Sequence, residues 1–128
     1  MANRTPIGRV RGLGSAKEGA HHWWNQRLSA AGNLVLMLWF VIAVAWLPGY
    51  DYATVTRWLA SPWVAIPMVL LVANVFWHMR LGLQVVIEDY VHDAGRVAMM
   101  ILLTFFTVGM AAVAIFSILR IAFTGTPA

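Results

Sequence analysis

Residues 62–90 have the sequence PWVAIPMVLLVANVFWHMRLGLQVVIEDY, which carries no charged side chain before Arg80. A helix needs about 20 predominantly apolar residues to cross a hydrocarbon core of roughly 30 Å, and this stretch is long enough. A chain inside lipid must satisfy its backbone hydrogen bonds within the segment. The stretch therefore predicts a transmembrane helix whose last residues, Glu88 to Tyr90, are polar.

Two further apolar stretches lie on either side of this one. Residues 28–47 (LSAAGNLVLMLWFVIAVAWL) contain no charge and are followed by a helix-breaking Pro-Gly pair. Residues 97–121 (VAMMILLTFFTVGMAAVAIFSILRI) carry one charge, Arg120, near their end. We therefore predict an all-α integral membrane protein whose helices form part of a multi-subunit bundle. Its three transmembrane helices are expected at about residues 28–47, 62–90 and 97–121.

Composition predicts a single membrane domain, residues 1–128. The chain is 61% hydrophobic and 11% charged, whereas soluble proteins carry about 25% charged residues. Residues 1–27 are a polar leader in which Ser15-Ala16-Lys17-Glu18 has the form of a capping box, so a short helix is possible there. Cysteine is absent, which excludes disulfides and cysteine-ligated iron–sulfur clusters within this chain.

The basic residues lie mainly before the first apolar stretch, although the net charge of +4 could by itself suggest nucleic acid binding. The positive-inside rule places such a segment in the cytoplasm, so we predict a cytoplasmic N-terminus. This placement fits membrane orientation better than a stripe for binding phosphate, and no nucleic acid partner is expected. The basic residues of the leader are Arg4, Arg9, Arg11, Lys17 and Arg27.

His78 is the residue within the spans that most suggests chemistry. At 1.5 Å per residue it lies about 24 Å from Pro62 and about 18 Å from Tyr90, well inside the hydrocarbon region. An ionisable residue at this depth is a functional hypothesis by default, and neutral imidazole is a common ligand of haem iron. The alternative is a neutral histidine hydrogen-bonded to a neighbouring helix. If His78 binds haem, a second axial ligand should come from another polypeptide, because the other three histidines lie outside the spans.

Other residues of the same helix face extend this hypothesis. At 100° per residue, Gly82 and Asp89 lie within about 40° of His78. Glycine lets either a flat macrocycle or another helix approach the backbone, and both interpretations stay open.

The Tyr90 hydroxyl can donate to a quinone carbonyl, with the Asp89 carboxylate beside it, or Tyr90 can be an interfacial anchor next to solvated charges. Arg27 can pair with carboxylates or simply snorkel.

The stretch from His78 to Val91 resembles the second helix of the hydrophobic membrane anchor subunit of succinate dehydrogenase (complex II). That family has a histidine, a glycine four residues later and an Asp-Tyr pair at the helix end, which here are His78, Gly82, Asp89 and Tyr90. The sequence GSAKEG at residues 14–19, with His21-His22-Trp23-Trp24 and Arg27, resembles the leader of the bacterial, alphaproteobacterial-type members.

The resemblance implies an anchor subunit of a succinate:quinone oxidoreductase, which is not catalytic alone and serves the respiratory chain and the tricarboxylic acid cycle. It implies that His78 is an axial ligand of haem b, that Gly82 packs against the haem and that a second membrane anchor subunit supplies the other histidine. Tyr90 would bind ubiquinone beside Asp89. The haem propionates would be met by Arg27, with His21 or His22. The iron–sulfur and flavoprotein subunits would complete the complex, in the bacterial inner membrane rather than the mitochondrial one.

Three alternatives stay open. The first is the anchor of a quinol–fumarate reductase, which has the same architecture and works in the opposite direction. The second is a structural or assembly protein without a cofactor. The third is a small transporter, which the odd number of spans and the lack of an inverted repeat disfavour.

Overall fold

A computed structural model describes residues 17–124, and in this part of the chain all regular structure is helical. The helices are α1 (Lys17–Ala45), α2 (Tyr52–Leu59), α3 (Pro62–Tyr90) and α4 (Asp93–Thr124). Three of them, α1, α3 and α4, are long and apolar enough to cross a membrane. The predicted all-α fold with three membrane-spanning helices is therefore confirmed.

Two of the long helices, α1 and α4, extend beyond the apolar stretches that predicted them. The structure describes α1 from Lys17, well before Leu28, and α1 ends at Ala45, just ahead of the Pro-Gly pair. α3 has the bounds expected from the sequence, whereas α4 extends past residues 97–121 at both ends. Ser15 and Ala16 of the expected capping box lie outside the described residues.

The short helix α2 lies between the first two spans and was not predicted. Asp51 is its N-cap: the carboxylate accepts hydrogen bonds from the Thr54 backbone N–H (3.1 Å) and the Thr54 hydroxyl (2.7 Å). These hydrogen bonds from Thr54 hold the pKa of Asp51 below its usual range. The ionised Asp51 therefore stabilises α2 at every pH above the ordinary pKa of an aspartate. This stabilisation is lost as the pH falls through the lowered pKa of Asp51, where the carboxylate becomes protonated.

α3 is the central helix of a row of three. α1 packs on one side of α3 and α4 on the other, while α1 and α4 have no Cα atoms within 8 Å of each other. Each outer helix is therefore positioned by its contacts with α3, and α4 also contacts α2. Any side chain of α3 that faces α1 lies in an interface at which a second helix can orient it.

Large apolar side chains cover the outside of this row. Trp46, Trp63, Phe105 and Phe123 are each at least three-quarters exposed. A soluble monomer rarely exposes contiguous apolar patches larger than a few hundred Å². This outer surface is therefore suited to contact with lipid chains and with other membrane helices.

Candidate functional site

The interface between α1 and α3 contains a hydrogen bond at His78. The Nδ1 atom of the half-buried His78 lies 3.0 Å from the Oγ atom of Ser29, which is 4% exposed. The Ser29 hydroxyl also donates to the backbone carbonyl of Gln26 at 3.1 Å. One nitrogen of the imidazole is thus held by α1, and the chemistry of the ring depends on the other nitrogen, Nε2.

Asn74, one helical turn before His78, fixes the two helices relative to each other. Its Nδ2 donates to the backbone carbonyl of Ser29 at 2.8 Å and to Oδ1 of Asn33 at 2.7 Å. Gly32 leaves space for this amide, since a Cβ atom at Gly32 would lie 3.0 Å from Asn74 Nδ2. Such hydrogen bonds between membrane helices contribute about 0.6 kcal/mol on average. Together they hold Ser29 opposite His78.

Gly82 lies one turn beyond His78, also against α1. A Cβ atom built on Gly82 would lie 3.5 Å from Nε2 of Gln26, which is an ordinary van der Waals distance. Within this chain, an alanine at this position fits without a steric clash. The close packing of α1 on α3 therefore does not by itself require a glycine here.

An open cavity of about 700 Å³ lies further along the α1–α3 interface, toward the Tyr90 end of α3. α1 contributes polar side chains from its first turns and α3 contributes side chains from its last turns. The residues that line it include His22, Gln26, Arg27, Gln84, Val85 and Glu88.

Two residues that line this cavity each have a buried polar atom without a hydrogen-bond partner among the described residues. These atoms are Nε2 of His22 and Oε1 of Gln26. A buried polar group left unpaired costs about 1–3 kcal/mol. Two other polar groups of the cavity do have contacts: the Arg27 guanidinium lies 5.0 Å from the centroid of the Trp23 ring, and Gln84 Nε2 donates to Glu88 Oε1 at 2.9 Å. The unpaired atoms point to a polar partner outside the described residues.

The structure brings some of the predicted site residues together and separates others. His22 and Arg27 line the same cavity, whereas His21 is exposed and does not. Asp89 and Tyr90 are exposed at the end of α3, and neither lines this cavity.

Tyr90 instead borders an apolar groove of about 470 Å³ between α3 and α4, with Leu83 and Phe106. Its side chain is 81% exposed. The predicted quinone-binding residue is thus free to meet a partner at the membrane surface, on another side of α3 from the polar cavity.

Sequence reasoning missed the polar residues of the α1–α3 interface near His78, namely Gln26, Ser29, Asn33 and Asn74. Their spacing was an available signal. Small polar residues within a span commonly hydrogen-bond across a helix interface. Asn74, His78 and Gly82 follow one another at intervals of four residues, and therefore share one face of α3.

Within residues 17–124, no group of three or more His, Cys, Asp or Glu side chains could hold a metal ion. A metal bound at His78 would therefore need ligands from outside this part of the chain. An iron held by a porphyrin would need fewer protein ligands, and His78 would supply one of them.

Comparisons with known proteins agree with the fold. Residues 1–117 match the family of succinate dehydrogenase/fumarate reductase transmembrane subunits. The chain is similar to the succinate dehydrogenase hydrophobic membrane anchor subunit of Paracoccus denitrificans, with 31% identity over 116 residues (91% of this chain and 90% of the relative). It is also similar to the Rickettsia bellii protein of the same description, with 35% identity over 88 residues (69% of this chain and 70% of the relative). No solved structure matches the chain significantly.

The three apolar helices and the bacterial relatives indicate a multi-pass protein of the bacterial inner membrane. The family match covers most of the chain, including α1, α3 and the polar interface between them. The chain therefore belongs to the succinate dehydrogenase/fumarate reductase transmembrane subunit family.

Proposed function

We propose that this chain is the membrane anchor of a succinate:quinone oxidoreductase, in which it ligates haem b jointly with a second anchor subunit and forms part of the ubiquinone site. The observation that carries the proposal is the hydrogen bond between Ser29 and Nδ1 of His78, at 3.0 Å. Histidines that ligate metals almost always donate the N–H of their second ring nitrogen to an acceptor, and a hydroxyl oxygen can serve as one.

The residues around His78 fit a haem. His78 would hold the iron through Nε2, and His22 and Arg27 would hold the propionates. Val85, which lines the polar cavity, lies about 10 Å along α3 from His78 at 1.5 Å per residue, so a ligand with carboxylates at one edge reaches from the histidine to the cavity. The unpaired Nε2 of His22 is suited to donate to such a carboxylate. A bound haem supplies a centre that accepts and releases one electron.

The exposed Tyr90 supports the proposed quinone site. Its hydroxyl would donate a hydrogen bond to one carbonyl oxygen of ubiquinone, with Asp89 beside it as a group that orients donors or passes protons. Reduction of the quinone to the quinol takes up two electrons and two protons. The electrons would come from succinate, by way of the flavoprotein and iron–sulfur subunits. Tyr90 would stabilise the negative charge that develops on the quinone oxygen as electrons arrive.

The family description names fumarate reductase as well as succinate dehydrogenase, which supports a second candidate function. In that case, the same anchor would oxidise a quinol and deliver electrons for the reduction of fumarate. The rates of succinate oxidation and fumarate reduction by the purified complex, measured with matched quinone and quinol, decide between the two directions.

Co-purification tests the proposal as a whole. A tag on this chain, in mildly solubilised membranes, should recover a flavoprotein, an iron–sulfur protein and a second anchor subunit, together with a b-type haem spectrum. An untagged strain carried through the same procedure is the control. Recovery of the chain without a flavoprotein and without haem would contradict the proposal.

Replacing Gly82 by alanine separates contact with haem from ordinary helix packing. The added methyl fits against Gln26 within this chain, and Gly→Ala in a helix is favourable by about 0.5–1 kcal/mol, so the complex should assemble normally. Against a haem, the methyl would overpack the site at a cost of about 1–3 kcal/mol. We expect haem affinity to fall about fivefold or more at unchanged subunit content. Unchanged affinity would show that Gly82 serves only the contact with α1.

A further inference from the structure

We infer that Ser29 is a positioning residue for His78: its hydroxyl fixes the tautomer of the imidazole and strengthens Nε2 as a ligand. The inference rests on the proposed haem ligation and assigns a role to a side chain of α1. Ser29 would act on the iron only through His78.

The two contacts of Ser29 suit a His78 ring whose hydrogen is on Nδ1. A serine hydroxyl has a single hydrogen, and a backbone carbonyl can only accept. In a His78 that holds iron through Nε2, Nδ1 carries the ring hydrogen, so Ser29 Oγ would accept it while the hydroxyl donates to the Gln26 carbonyl at 3.1 Å. The contact of 3.0 Å to Nδ1 is then an Nδ1–H donor to Ser29 Oγ. A neutral imidazole protonated at Nδ1 leaves a lone pair on Nε2, which is the form that binds iron.

The surroundings of Ser29 favour a fixed arrangement. The side chain is 4% exposed, so water does not compete for its hydroxyl. Its backbone carbonyl is held by Asn74 at 2.8 Å, and the same amide group holds Asn33 at 2.7 Å. Asn74 and His78 are one turn apart on α3, so the helix that carries the ligand also anchors the residue that orients it.

This hydrogen bond should affect the electronic properties of the bound iron. Donation of Nδ1–H to an acceptor raises the basicity of a histidine ligand. A more basic ligand stabilises the ferric form over the ferrous form, which lowers the haem midpoint potential. Loss of the acceptor should therefore raise the potential, even where haem remains bound.

The test is redox titration of haem in the intact, purified complex carrying Ser29→Ala, Ser29→Cys or Ser29→Thr. We expect alanine to shift the ferric–ferrous equilibrium about tenfold toward ferrous haem, which is about 59 mV upward for one electron. Threonine keeps the hydroxyl and should restore the wild-type potential, while cysteine, a weaker acceptor, should fall between the two. Ser117→Ala is the matched control, because Ser117 is an exposed serine whose hydroxyl donates to Val113 within α4, at 2.8 Å.

An alanine complex that retains haem at the wild-type potential would overturn the inference. If the alanine variant fails to assemble, equal potentials for serine, threonine and cysteine would overturn it in the same way. Failure of the proposed haem ligation has a different signature, since the haem spectrum would then survive replacement of His78 itself. If the His78 variant loses the haem spectrum but the haem midpoint potential is the same in all Ser29 variants, the proposed haem ligation stands and only the role of Ser29 is contradicted.

Discussion

Replacing His78 by alanine should remove the low-spin b-type haem spectrum from the assembled complex. If His78 holds the haem iron, its replacement by alanine would leave the iron with only the ligand of the partner subunit. Loss of an outer-shell partner alone costs about 10–100-fold in metal affinity, and loss of the ligand itself should cost more. Haem content per flavin, measured by absorption on the purified complex, checks this result.

His92→Ala is the matched control for this variant. His92 is an exposed histidine in the turn between α3 and α4, outside the α1–α3 interface. Its replacement should leave the haem spectrum unchanged. A His78→Ala complex with normal subunit content and an unchanged low-spin spectrum would contradict ligation by this chain. His78 would then be a satisfied interface histidine bonded to Ser29.

Replacing Tyr90 by phenylalanine should slow quinone reduction while the complex still assembles. The substitution removes only a hydroxyl, and because the side chain is 81% exposed, it leaves no buried group unpaired within this chain. A hydrogen bond to a charged group contributes about 1.5–3 kcal/mol, so kcat/KM for ubiquinone should fall about 10- to 100-fold. The measurement compares succinate oxidation with ubiquinone and with an artificial acceptor that takes electrons from the soluble subunits.

Tyr52→Phe provides the comparison for Tyr90, since Tyr52 is also exposed but lies in α2, next to the start of α3, whereas Tyr90 lies at the end of α3. This change should alter neither assay. If Tyr90→Phe reduces ubiquinone at the wild-type rate, Tyr90 is an interfacial anchor, as many tyrosines near membrane surfaces are.

The fold could be predicted because lipid constrains it strongly. Long uncharged stretches must be helices in a membrane, so the count of three spans followed from the positions of the charges. Helix ends were harder to predict. Residues 17–27 are helical although polar, so the apolar stretch alone does not give the extent of α1. The short helix α2 is capped by Asp51, which accepts a hydrogen bond from the Thr54 backbone N–H. This is a local signal that a search for long apolar stretches overlooks.

The candidate site was predictable in part. The depth of His78 in its helix singled it out, because an ionisable group within a span is rare. The partner on α1 was not predicted, since helix periodicity gives the face of a residue but not the register of the neighbouring helix. That register depends on Asn74, Asn33 and the space left by Gly32. The sequence did not distinguish His21 from His22, and in the structure His22 lines the polar cavity whereas His21 does not.

The most direct test of joint haem ligation is an experimental structure of the complete complex, in which the position of the His78 ring relative to iron is measured. We expect Nε2 of His78 at bonding distance from a haem iron, Nδ1 still hydrogen-bonded to Ser29, and a histidine of another subunit on the opposite side of the iron. A His78 ring that faces lipid, or that fills the α1–α3 interface with no iron bound to it, would contradict the proposal.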